Sequence, residues 1–145
     1  MINKIKVEFL SLSVNESFAR TAVAGFFSEL DPTIEEIAEI KTSVSEAVSN
    51  AIIHGYKNQP TGIVTVECSY DENRKLVISV ADNGVGIENI EKAREPLFTT
   101  GSSEERAGMG FTVMESFTDH VEVTSKLGEG TRVLMIKRLD AGYEL

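Results

Sequence analysis

At 145 residues, 41% of them hydrophobic and 26% charged, the chain has the make-up of one globular domain, residues 1–145, able to bury a core; disorder is not expected. Its net charge of −9, from 14 Lys and Arg against 23 Asp and Glu, argues against direct nucleic-acid binding, which needs clustered cations to displace counterions. The one cysteine, Cys68, cannot form an internal disulfide, and no apolar run is long enough for a signal peptide or a membrane span, so a cytoplasmic protein with no membrane partner is expected.

Lys4 to Leu12 alternates Ile5, Val7 and Phe9 against polar neighbours, a half-buried strand. Ser13-Val14-Asn15-Glu16 has the form of a capping box, and Phe18, Ala22, Phe26 and Leu30 follow at fourfold spacing, predicting an amphipathic helix. Asp31-Pro32 stops it; Asp31 is expected to cap the next helix, with Pro32 at its first position. Ile37, Val44, Val48, Ala51 and Ile52 give that helix its apolar stripe, running to Gly55. Two strands follow, about 62–70 and 75–82, with the charged turn Asp71-Glu72-Asn73-Arg74 between them. Glycines and charges dominate from Asn83 to Gly110, broken by a short helical stretch near Ile90–Arg94. Met109, Val113 and Phe117 suit a further helix. Strands around 121–125 and 131–137, joined by Lys126-Leu127-Gly128-Glu129-Gly130, close the chain. Such an order predicts an α+β two-layer sandwich, a mixed, mostly antiparallel sheet with the helices on one face.

Three places in this scaffold can carry chemistry. Glu46 and Asn50 lie four residues apart in a helical pattern and so share a face. Asparagine is mildly unfavourable within a helix, and one amide oxygen plus phosphate oxygens can complete a magnesium shell. Glu46 can take a proton from an attacking hydroxyl or orient a water; a solvated face shared with Ser43 and His54 explains the pair as well. Asp82 continues the inward parity of Leu76, Ile78 and Val80. A carboxylate there needs a partner, for which the exocyclic amine of adenine and a simple turn cap are alternatives, just as Gly84 and Gly86 are turn residues when taken alone. The long segment 99–111 is polar and glycine-bearing. Amides freed by Gly108 and Gly110 at a helix start would cradle phosphate, and the Thr/Ser/Gly run before them suits a lid or a plain surface loop. His54 is expected to cap carbonyls at its helix end. Cys68, in step with Val64, Val66 and Tyr70, is expected to pack.

Taken in order, Glu46…Asn50, Asp82-Asn83-Gly84-Val85-Gly86, Gly108-Met109-Gly110 and Gly130-Thr131 follow the N, G1 and G2 boxes and closing strand of the GHKL ATPase superfamily. Nearly the whole chain resembles the bacterial anti-sigma factor kinases within it, most of all those of sporulation. The likeness runs through Asn15-Glu16-Ser17-Phe18-Ala19-Arg20, 45–56, Pro96-Leu97-Phe98-Thr99-Thr100 and Gly108-Met109-Gly110-Phe111-Thr112. The resemblance implies a Bergerat-type ATP site holding ATP or ADP with Mg2+. Glu46 would be the catalytic base and Asn50 the magnesium ligand. Asp82 would read adenine, with Thr131 assisting, and Gly84, Gly86, Gly108 and Gly110 would shape the site and its lid. It further implies a homodimer that holds a sigma factor and phosphorylates a serine of an anti-anti-sigma partner, with Arg20 at a partner-contacting position. The rivals are an ATP hydrolase of the same superfamily, a histidine kinase catalytic domain, and a sigma-binding module that uses nucleotide only to shape its surface.

Overall fold

The computed structural model describes residues 1–95 and 103–140, the side chains of 103–107 apart. Five strands form one sheet in the order β1-β2-β3-β5-β4: β1 (Asn3–Leu10), β2 (Ile63–Tyr70), β3 (Lys75–Asp82), β4 (His120–Lys126) and β5 (Gly130–Arg138). Every pairing is antiparallel, so no parallel pair of the kind a mixed sheet would contain is present among the described strands. Val64, Val66, Cys68 and Tyr70 on β2, and Leu76, Ile78, Val80 and Asp82 on β3, turn to the buried side. Burial pushes the Cys68 thiol up to about 12, in keeping with a packing role.

The helices α1 (Val14–Phe27), α2 (Ile34–Asn50), α3 (Ile90–Arg94) and α4 (Ser103–Phe117) cover that one face, with α2 packed between α1 and α4. Phe27, Ile40, Val44, Val48, Phe111 and Met114 close the core against the sheet. The expected row of α1 is displaced by one residue. Ala19, Val23 and Phe27 are buried, Phe26 and Leu30 pack at the margin, and Phe18 is 58% exposed. Two adjacent rows at spacing four both satisfy helical periodicity. The aromatic pairings of Phe26 and Phe27 with each other and with Tyr70 accommodate both at the seam between rows. In α4 likewise, Phe111 and Met114 are buried while Met109 is 57% exposed.

Both expected caps are also revised. Ser13 makes no side-chain capping bond; Asn15 instead donates its amide to the Leu10 carbonyl (2.9 Å). Asp31 takes a left-handed conformation (φ 49°, ψ 54°) that ends the 3-10 turn Ser28–Leu30, and Pro32 therefore lies outside α2. Thr33 caps α2 through a reciprocal box. Its hydroxyl accepts from the Glu36 amide (3.0 Å), and Glu36 accepts from the Thr33 amide (2.9 Å). Thr33→Ala is expected to cost about 1 kcal/mol of folding stability, read as a lower denaturation midpoint in urea at an unchanged slope, whereas Ser13→Ala is expected to leave it in place.

At its C-terminal end α2 does not stop. Residues Ala51–Gly55 continue as a π-helical turn, closed by the Tyr56 amide on the Ala51 carbonyl (3.0 Å). His54, expected at a plain helix end, lies inside this turn.

Candidate nucleotide site

The widened turn steers the end of α2 onto the end of β3. Gly55 lies so close to Asp82 that a Cβ there would sit 2.7 Å from its Oδ1. The Gly55 carbonyl accepts from the Val85 amide (2.9 Å), and a Cβ on Gly84 would fall 2.0 Å from that same oxygen. From the far side, Gly130 (φ +104°) approaches until a Cβ would be 2.0 Å from the Asp82 carbonyl. Three glycines from three segments thus enclose one aspartate. A side chain at Gly55 or Gly130 would occupy space that Asp82 fills, and one at Gly84 would strike the Gly55 backbone.

Asp82 is only 9% exposed, and its Oδ1 accepts from the Gly84 amide (2.9 Å). Burial pushes the carboxyl above its usual range, against the opposing effect of the Gly84 and Thr131 amides. Thr131 stands directly across from it on β5. The Thr131 hydroxyl lies 2.8 Å from Ser125 Oγ, which also donates to the Gly130 carbonyl and accepts from the Ile87 amide (2.7 Å). Gly86 (φ +76°) packs where a Cβ would meet the Lys126 carbonyl at 2.2 Å, and the Gly128 amide donates to Val85 (2.7 Å). The turn after β3 and the β4–β5 hairpin are therefore fastened along their length.

Asn50 ends α2 immediately before this π-helical turn. Its Nδ2 is buried and has no hydrogen-bond partner among the described residues. An amide so placed is a cost to the apo protein that a bound ligand can remove; a half-turn of the carboxamide presents its oxygen at the same point. Glu46 faces the same spot. A Cβ built on Gly110 would lie 3.0 Å from Glu46 Oε2 and 3.2 Å from Asn50 Nδ2, so α4 brings a glycine to where both side chains end. Among the described residues no cluster of three His, Cys, Asp or Glu could hold a metal by itself. A lone amide oxygen nonetheless suits magnesium, which keeps waters and takes its remaining ligands from phosphates.

Burial, and then the charge of Glu16, raise the Glu46 carboxyl above its usual range. Glu16 reaches over from α1, accepts a hydrogen bond from Ser45 and pairs with Arg20 at 3.5 Å. Arg20 is thus half-exposed and already engaged.

The structure joins Glu46, Asn50 and Gly110 at one end and Asp82, Gly84, Gly86 and Thr131 at the other. It does not place Gly108 with either: a Cβ there would meet the Glu95 carbonyl at 2.4 Å, so this glycine lets α4 pack against the end of α3. Nor do Gly108 and Gly110 open a helix. α4 begins at Ser103, which puts their amides beyond the first turn, where intrahelical bonds take them up. The glycines mark a helix start in the sequence, but Glu104, Glu105, Arg106 and Ala107 are good helix formers that extend it toward the N-terminus. The rest of the expected lid, including Thr99, Thr100, Gly101 and Ser102, lies outside the described residues. Gly55, Gly130 and Ser125 were not picked out as site residues. Gly55 is read from sequence as a helix end, Ser125 as part of a strand and Gly130 as part of a hairpin turn, and each of those roles accounts for the residue without a site.

The profile of the family described as histidine kinase-like ATPase domain matches residues 11–137. The anti-sigma F factor of Clostridium acetobutylicum is 59% identical over 136 residues, covering 94% of each chain. That of a Thermoanaerobacter species is 61% identical over 135 residues, covering 93% of each. Among solved structures, the RsbU and RsbW domains of a Mycobacterium tuberculosis protein superpose with a TM-score of 0.70 at 18% identity, over 94% of this chain and 32% of that one. No helix of the described residues is long and apolar enough to cross a membrane.

Proposed function

The chain belongs to the histidine kinase-like ATPase domain family, among the anti-sigma F factors, and from that premise we propose that it binds a sporulation sigma factor and, with ATP, phosphorylates a serine of an anti-anti-sigma partner. The observation that carries this reading is the convergence, on one point of α4, of the Glu46 carboxylate and the buried Asn50 amide, which has no partner among the described residues, with burial raising the Glu46 pKa. A carboxylate whose proton affinity has been raised is a better base than a solvated one.

In this reading Asp82 accepts a hydrogen bond from the exocyclic amine of adenine, with Thr131 beside it. Gly84 and Gly86 shape the site by letting the turn after β3 pack on Gly55 and on the β4–β5 hairpin. Asn50 would hold Mg2+, which when bound neutralises phosphate charge. The serine hydroxyl of the partner gives its proton to Glu46 as it attacks the γ-phosphorus, and the β–γ bridging oxygen leaves with ADP. No covalent enzyme intermediate is needed, because phosphoryl transfer responds mainly to positioning and charge neutralisation. Arg20, paired with Glu16 on the exposed side of α1, is assigned to partner contact. The protein acts as a homodimer in the cytoplasm.

γ-Labelled ATP supplied with magnesium and a candidate anti-anti-sigma protein tests the chemistry. Label on a serine of that protein, and sigma factor retained on the immobilised chain, are the expected results. Label released only as free phosphate selects the hydrolase instead. Sigma binding without any transfer reduces the chain to a nucleotide-dependent binding module.

A further inference from the structure

Immediately after the π-helical turn, Tyr56 contacts the residue that follows Asp82 and the strand paired with it. Its hydroxyl donates to the Ile63 carbonyl (2.6 Å) and accepts from the Asn83 amide (2.6 Å). Ile63 adjoins Val64, the residue paired with Asp82 on β2, and Asn83 follows Asp82 directly. One phenol oxygen therefore ties the neighbours of both members of that pair. The ring is fixed as well, because it fills the space above Gly62, where a Cβ would come 2.5 Å from Cδ1. The Tyr56 amide closes the π turn on Ala51, and its carbonyl takes the Gln59 amide (2.9 Å).

We infer that Tyr56 is a positioning residue for base recognition: by holding the peptide after Asp82 it sets the direction in which the Asp82 carboxylate meets the purine. This rests on the reading of Asp82 as the adenine partner. The physical argument is one of rotation. Asp82 Oδ1 is bonded to the Gly84 amide two residues on, so its orientation follows the peptide planes at Asn83 and Gly84. The Gly84 plane is held by packing on Gly55; the Asn83 plane is held by the phenol. A site built to bond one polar group of a ligand discriminates strongly against the analogue lacking it, but only while its own acceptor is kept in place.

Tyr56→Phe removes the hydroxyl and leaves the ring over Gly62. Ser11→Ala is the control. Ser11 braces the same connection, donating to the Gln59 carbonyl (2.5 Å) and accepting from the Gly62 amide (3.0 Å), without touching Asn83. Calorimetry of the full chain with ADP and with inosine diphosphate, which lacks the exocyclic amine, supplies the readout, together with hydrogen exchange at the Asn83 amide. In Tyr56→Phe we expect faster exchange at Asn83 and ADP affinity lowered about five- to tenfold, with inosine diphosphate affinity little changed, so that base preference narrows. Ser11→Ala is expected to lower stability and keep the preference. Unaltered exchange at Asn83, or equal weakening of both nucleotides in Tyr56→Phe, overturns the inference and leaves Tyr56 a brace only. A wild-type chain that binds both nucleotides alike overturns the reading of Asp82 itself, and the inference with it; the wild-type measurement keeps the two failures apart.

Discussion

Glu46→Gln is expected to reduce phosphoryl transfer to the partner serine by roughly a hundred- to ten-thousand-fold, the usual range for removing a positioned general base, while ADP binding stays near the wild-type value. Glutamine keeps the shape and the hydrogen-bonding atoms but cannot take a proton near neutral pH. Since Glu46 ends beside Asn50 against Gly110, some distance from Asp82, binding at the adenine end has no reason to change. Single-turnover transfer from labelled ATP together with ADP titration separates the two effects. A variant that transfers at the wild-type rate would remove Glu46 from the base role.

The pH profile supplies an independent check on the same group. Burial and the Glu16 charge raise its pKa above the ordinary 4.5, and the base must be ionised to act. Transfer is therefore expected to fall as pH drops through that raised value, so the acid limb lies above the usual glutamate range, and Glu46→Gln is expected to lose it. Stability moves the other way. With a folded-state pKa above the unfolded one, the native state binds more protons across the interval between them, so this group's contribution becomes less favourable as pH rises through that window. Activity and stability thus diverge there in sign, which distinguishes a titrating base from a protein that simply unfolds in acid.

What could be read from the chain depended on which features repeat along it. Strand parity correctly sent Asp82 inward with Leu76, Ile78 and Val80, because a period of two leaves no choice once one face is known. Glu46 and Asn50 were placed together because four residues make about one helical turn. The inward row of α1 was misjudged by one position, since Phe18 and Phe26 outweigh Ala19 and Val23 in apparent hydrophobicity while the packing at the α1–α2 seam decides the outcome. The cap of α2 was legible as Thr33…Glu36 but was assigned to Asp31 on the attraction of the following proline. Long-range proximity is not legible in the residues themselves beyond what the family resemblance implies, such as Thr131 beside Asp82. Nothing local to Gly55 announces that it will abut Asp82, or local to Tyr56 that its hydroxyl will receive the Asn83 amide, because both contacts depend on the π-helical turn that redirects the end of α2.

Gly55→Ala turns that proximity into the second large effect expected. The local backbone has no objection to alanine: Gly55 is not in the left-handed region, and alanine is the better helix former by about 1 kcal/mol. Its Cβ, however, would lie 2.7 Å from Asp82 Oδ1, 2.9 Å from Cγ and 3.1 Å from Oδ2. All three distances fall on the one carboxyl group, which cannot swing away without giving up the Gly84 amide. Overpacking of this kind costs about 1–3 kcal/mol, equivalent to roughly 5- to 150-fold in nucleotide affinity if the displaced carboxylate bears it. The variant is accordingly expected to fold and to lose ADP affinity within that range. Gly84→Ala differs in kind: its Cβ would strike the Gly55 carbonyl at 2.0 Å, backbone against backbone, so we expect lost stability as well as lost binding. A double-mutant cycle with Asp82→Ala decides where the Gly55→Ala effect resides. If the carboxylate transmits it, Gly55→Ala adds little once that carboxylate is gone, and the two penalties fail to sum. Additive penalties would instead mean that Gly55 acts on the nucleotide directly, by the closeness of its own backbone.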